Sequence, residues 1–87
     1  MASIQLTVVT PEGKPFEGEI ERVIVRSSGG DVCIMARHID YATALGDGEA
    51  RITLTDGNVR KAHVAGGMLH AASNAVQILT NSFEWKD

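Results

Sequence analysis

The sequence predicts an all-β fold, a small flattened sandwich or barrel of roughly eight to ten short strands. Three observations carry that expectation. Apolar residues recur with a period of two in segment after segment, turn residues separate the segments every 8 to 12 positions or so, and no stretch long enough for a stable helix keeps its apolar residues on one helical face. The chain has 87 residues, room for one domain, read as residues 1–87, with a core that buries roughly 60–65% of the unfolded chain's surface.

The elements follow in chain order. "IQLTVV" sets Ile4, Leu6 and Val8 against Gln5, Thr7 and Val9, the alternation of a strand with one covered face. "TPEGKP" supplies two prolines and a glycine, which stop the strand and begin a turn. In "IERVIVRS", Val23 and Val25 share one side, with Arg22, Ile24 and Arg26 on the other, and the β-branched content favours a strand. "SSGGD" reads as a hairpin turn, after which "DVCIM" is a short apolar strand.

The sharpest local signal is "RITLTDGNVRKAHVAG". Asp56-Gly57 stands between two alternating runs, as in a hairpin whose type I′ turn needs φ > 0 at both central positions. The inward set before it is Ala50, Ile52 and Leu54. "GGMLHAASNAVQILTN" then reads as two strands joined by "ASNA", with Val76 and Ile78 on one face and Leu79 available to the other. "SFEWKD", within residues 81–87, is expected to be a loosely held end.

Composition narrows the function classes. With 44% hydrophobic and 22% charged residues, the chain is neither a disordered tail nor a fibre. A net charge of −3 without a Lys/Arg concentration argues against nucleic acid as a partner. No apolar run approaches the roughly 18–20 residues of a membrane-spanning helix, and "MASIQLTVV" lacks the basic start and apolar centre of a signal peptide. The expectation is therefore a soluble chain that is not inserted in a membrane. Cys33 is the one cysteine, so no internal disulfide forms.

Candidate chemistry is thin. A Cys33–His38 nucleophilic pair needs contact at about 3 Å, whereas five extended residues span roughly 16 Å; the thiol is expected instead to be a small core side chain. His38, His63, His70 and Cys33 lack the spacing of zinc ligands. His63 and His70 read as solvated strand residues. "SSGGD" is followed by an acid and a strand rather than by the helix that a phosphate-binding loop opens into. Glu12, Glu17, Glu19 and Glu21 read as a solvated edge that discourages pairing with other chains. No catalytic residue, cofactor or metal is expected.

In order, "LTVVTPEGKPFEGEIERVIVRSSGGDVCIMARH", "TALGDGEARI" and "VAGGMLHAASNAVQILTN" resemble the N-terminal β-sandwich of the epsilon subunit of rotary F-type ATP synthase, called delta in mitochondria. The likeness runs collinearly from Ile4 to Asn81. It rests on Val8-Val9-Thr10, Phe16, Gly18, Gly30, Asp31 at the family's acidic position, Ile34, His38 at its loop histidine, Thr43, Leu45 and Gly66-Gly67. The departures lie at Cys33, where the family commonly has Gly, at Ala36-Arg37, where it has Pro-Gly, and at Ile39-Asp40, where it has Ala-Pro. Many family members continue into a pair of C-terminal helices that can restrain ATP hydrolysis. This sequence stops at Asp87, either as a short form without that arm or as a fragment.

The resemblance implies a non-catalytic stalk component that binds the gamma subunit and the c-ring, coupling proton or sodium translocation to ATP synthesis. It implies c-ring contact through Asp31 and His38, facing a polar ring surface that carries arginine in the family, and gamma contact through Thr10, His38 and Thr43. Met35, Ala42 and Leu45 either contact gamma or fill the core. It also implies a place at the cytoplasmic face of a bacterial plasma membrane, peripheral through the synthase, or on the matrix or stroma side in an organelle. A stand-alone sandwich that binds a peptide or small molecule is the alternative.

Overall fold

A computed structural model of the chain describes residues 3–27, 29–35 and 40–86. Alternation of apolar and polar side chains makes strands of β1 (Ile4–Thr10), β2 (Gly13–Ser27), β3 (Gly30–Met35), β4 (Tyr41–Leu54), β5 (Val59–Ala72), β6 (Ala75–Leu79) and β7 (Phe83–Trp85). The all-β expectation holds. The described strands are fewer and longer than eight to ten, because β2, β4 and β5 each run 14 or 15 residues and each serves more than one partner.

β1 closes the sheet into a barrel. One edge pairs antiparallel with β2, Ile4 opposite Ile20, and the other pairs parallel with β6, Val8 opposite Ile78. The circuit runs β1-β6-β5-β4-β2 and back to β1. β3 extends β2 beyond β1, and β7 lies on β5 beside Ala62–Val64. Closure leaves the five circuit strands with one inner face, filled by Ile4, Leu6, Val8, Ile20, Val23, Ile52, Leu69, Val76 and Ile78, all buried. Each contributes about 1.5–3 kcal/mol of transfer free energy relative to an exposed side chain.

The turns show which residues steer the chain. The Asp56-Gly57 hairpin is present, but its turn is not type I′. Gly57 N–H donates to the Leu54 carbonyl at 3.0 Å, which puts Thr55 and Asp56 at the turn centre. Only Gly57, at φ 91°, is left-handed there, the arrangement of a type I turn followed by a glycine bulge. The Asp56 carboxylate explains the choice, since it accepts the Asn58 backbone N–H at 2.9 Å and so holds its own backbone in the ordinary region. The residues with the I′ signature are Ser73 and Asn74, at φ 51° and 62°, between β5 and β6.

The end of the described chain is not loose. β7 pairs with β5, the Lys86 N–H donates to the Lys61 carbonyl at 2.8 Å, and Trp85 meets Phe16 and Phe83 edge-on at 5.9 and 4.9 Å between ring centroids. The Arg60 guanidinium lies 3.7 Å over the Trp85 ring. A terminal position by itself favours fraying, but the apolar surface of the Phe83 and Trp85 rings packs on the barrel and holds this end in place.

Gly67 marks the tightest approach of strands. Its φ is +124°, and a Cβ there would collide with the Leu79 carbonyl and come within 2.9 Å of Thr80 Cα. Backbone on both counts gives no room to yield. Gly67→Ala is therefore expected to destabilise the domain by about 2–4 kcal/mol, read as the urea midpoint of far-UV circular dichroism. An unchanged midpoint would show that β6 gives way without cost.

Candidate functional site

β3 brings Asp31 to an exposed hairpin end. Ser27 and Gly30 are paired across the turn between β2 and β3. The Ser27 hydroxyl, nearly buried, donates to the Gly30 carbonyl at 2.7 Å and accepts the Gly29 N–H at 3.2 Å. Asp31 follows on the outer side, where its Oδ1 accepts from Arg26 Nε at 3.3 Å. His38 and residues 36–39 as a whole, including the replaced Pro-Gly turn, lie outside the described residues.

Thr10 occupies another part of the barrel, whereas Thr43 shares β4 with its near neighbour Leu45, the partner of Ser27 in the Asp31 hairpin. Thr10 ends β1 opposite Gly13, where its hydroxyl accepts the Glu12 N–H and donates to the Gly13 carbonyl, each at 3.3 Å. β2 thus has Thr10 beside its first residue and Asp31 beside Arg26, near its last. Thr43 sits half-buried in β4 opposite Leu69, between the exposed Ala42 and Ala44. Of the three apolar residues near the loop, Leu45 joins the core while Met35 and Ala42 are exposed.

Cys33 is exposed, which corrects the expectation of a core thiol. Strand alternation decides it: Ile34 is buried and Val32 half-buried, so the residue between them faces out. The five-residue gap to His38 leaves the nucleophilic pair outside the described residues. His63 and His70 are exposed on β5. Among the described residues no three His, Cys, Asp or Glu side chains gather as a metal site.

The feature that sequence reasoning missed is an apolar row on the outside of the barrel. Ala44 of β4 pairs with Met68 of β5, Met68 with Leu79 of β6, and Leu79 with Val9 of β1. Met68 is 52% and Leu79 45% exposed. The row runs across four strands without a charge, with Ala42, His70 and Gln77 forming the next row. Thr10 borders the same ground, lining a shallow hollow with Val9, Pro11, Gly67 and Leu79. The signal was present as Met68-Leu69 and Ile78-Leu79: two large apolar neighbours in a strand cannot both face inward.

A second outer region is charged. Arg22, Arg26 and Arg51 lie along β2 and β4, answered by Glu21, Asp31 and Glu49 at 3.3 to 3.7 Å, and Lys86 also reaches Glu49. These pairs are exposed, so each contributes little to stability. Ser27 is different, because its hydroxyl closes the Asp31 hairpin from a nearly buried position. Ser27→Ala is expected to cost about 1 kcal/mol and to speed hydrogen exchange at the Gly29 amide; an unaltered exchange rate would take Ser27 out of that role.

The family model for the ATP synthase Delta/Epsilon chain, beta-sandwich domain, matches residues 3–86. ATP synthase epsilon chains of Caldicellulosiruptor bescii and Caldicellulosiruptor saccharolyticus are 36% and 38% identical over 87 residues, all of this chain and 63% of each relative. That of Shouchella clausii is 34% identical over 84 residues, 97% of this chain and 62% of the relative. The chain thus spans less than two thirds of the length of these relatives. Among solved structures, a chain of the Euglena gracilis mitochondrial ATP synthase OSCP/F1/c-ring assembly shares the fold at a TM-score of 0.92 and 20% identity, over 98% of this chain and 54% of that one. A chain of the Tetrahymena thermophila mitochondrial ATP synthase central stalk and c-ring does so at 0.78 and 16%, over 94% and 66%.

Proposed function

Because the chain belongs to the family of ATP synthase delta/epsilon β-sandwich domains, we propose that it is a non-catalytic part of the central stalk that binds the gamma subunit and the c-ring and so couples ion translocation to ATP synthesis. In this role it is peripheral to the membrane, held there through the synthase. Its contribution is mechanical: a rigid body clamped between two partners passes torque without slipping.

The observation that carries the reading is the outer row Ala44–Met68–Leu79–Val9. An uncharged strip on a sheet face, rimmed by polar residues, is the kind of surface that protein partners cover. It lies beside Thr10, a described position at which gamma contact was expected, so we assign gamma to this face. Thr43 shares β4 with Ala44 but stands opposite the buried Leu69 and so alternates away from the row. The hairpin end with Asp31 adjoins the row only at its Ala44 end, since Ser27 pairs with Leu45, while Val9 and Thr10 lie beside the opposite end of β2; its polar character suits the ring. Two standard interfaces of about 800 Å² each would take about a third of the 4975 Å² that the chain exposes.

The test separates the faces. Met68→Glu and Leu79→Glu each put a carboxylate into the row while leaving the core untouched. They are expected to leave the melting temperature of the free domain within a degree or two, and to weaken co-purification with gamma about tenfold or more, as for a charge buried in an interface. Asp31→Lys should spare gamma capture and lower proton pumping per ATP hydrolysed in rebuilt membranes. Full gamma binding by both Glu variants would move the gamma contact elsewhere.

A further inference from the structure

Asp31 is not a solitary carboxylate. It stands directly across the β2–β3 ladder from Arg26, and its Oδ1 is held by Arg26 Nε at 3.3 Å. Both side chains remain more than half exposed, 60% for Arg26 and 52% for Asp31. Among the described residues, no other hydrogen bond or ion pair engages either of them.

What places Arg26 is the neighbouring strand. Between Ile24 and Ser27 the β2–β4 register breaks: three steps along β2 are matched by six along β4, from Arg51 back to Leu45. The extra length holds Gly46 and Gly48. A methyl group on Gly48 would stand 3.0 Å from Arg26 Cβ and 3.4 Å from its Cγ, and one on Gly46 would stand 3.8 Å from that Cγ. The two glycines form a bare track along which the aliphatic stem lies, leaving the guanidinium at the hairpin end. A side chain at Gly48 would lift the stem and carry Nε away from Asp31.

We infer that Arg26, seated on the Gly46–Gly48 track, is a positioning residue for Asp31, and that the two present themselves to the partner as one ion pair. The inference rests on the stalk reading proposed above and alters the chemistry of its ring contact. A lone carboxylate draws a cation from a distance of about the Debye length, and that attraction fades with salt. A close pair has no net charge and offers a guanidinium donor beside a carboxylate acceptor. It fits a polar loop that supplies one acceptor and one donor side by side, and it is recognised by direction rather than by charge.

The experiment uses the whole synthase in inverted membrane vesicles, with proton pumping per ATP hydrolysed measured at low and raised salt and the melting temperature of each free variant alongside. Arg26→Ala is expected to lower coupling about two- to fivefold, as Asp31→Ala does, the range of an exposed charged contact. Gly48→Ala keeps both charges and, with Gly48 outside the left-handed region, suits the backbone; it should lose part of the coupling. The reversed pair Arg26→Asp with Asp31→Arg should keep more coupling than either single reversal, and salt should change the wild type little. Normal coupling in Arg26→Ala beside a loss in Asp31→Ala would overturn the inference in favour of a lone carboxylate. Coupling losses that only follow falling melting temperatures would overturn it in favour of a structural pair. If the wild-type chain is not captured with gamma and ring at all, the stalk reading fails and this inference with it.

Discussion

β1 is bonded along one edge to the strand that follows it, at Gly13–Ile20, and along the other to a strand near the far end of the sequence, Ala75–Leu79, and its place in the circuit turns a bent sheet into a closed barrel. Once closed, a small barrel has an inner face just wide enough for side chains, so every circuit strand must aim one set of alternate residues inward. Ile4, Leu6 and Val8 fill the centre of that space from β1 itself. The parallel contact with β6 has no short connection to support it. It depends on Gly67, the point where β5 bends closely enough past the end of β6 to let Leu79 and Thr80 approach.

Closure also fixes the outer surface, and this is how the core comes to determine the proposed docking face. Period two gives each strand half its residues for the interior, and the apolar ones beyond that half have nowhere to go but outside. Leu69 and Ile78 are buried, so their neighbours Met68 and Leu79 are exposed. Pairing then aligns them with Ala44 and Val9 in one row. A one-residue slip of β5 or β6 would exchange the buried and exposed members of each pair, so the register that satisfies the core also assembles the row.

The legible part of this protein is the part that depends on local pattern. Alternation located the strands, and Asp56-Gly57 located a hairpin, because those signals act within a few residues. What depended on competition between neighbours was not legible. Whether Asp56 turns left-handed depends on whether its carboxylate takes the Asn58 N–H, and nothing in the dipeptide decides that. Cys33 reads as a core residue by type, but the alternation of Val32 and Ile34 puts it outside. "SFEWKD" has polar ends and two rings, and its fate rests on Phe16 and Arg60, contacts roughly 70 and 25 residues away that become neighbours only in the closed barrel. Of the candidate site, the resemblance supplied Asp31, Thr10 and Thr43, while the apolar row needed the register and Arg26 needed the break in it.

That break joins the mechanics of the fold to its proposed use. A regular ladder between β2 and β4 would run level past Arg26, and residues there would carry side chains as they do elsewhere in β4. With extra length in β4 and glycine at 46 and 48, the strand passes beneath Arg26 without pushing it away. The cost is local, since glycine in a strand interior weakens it by roughly 0.5–1 kcal/mol relative to alanine, and neither glycine contributes to the core. Stability is thus given up next to the Ser27–Gly30 turn, where the proposed clamp would need a fixed side chain, and retained at Gly67 and β1, where the barrel must not open.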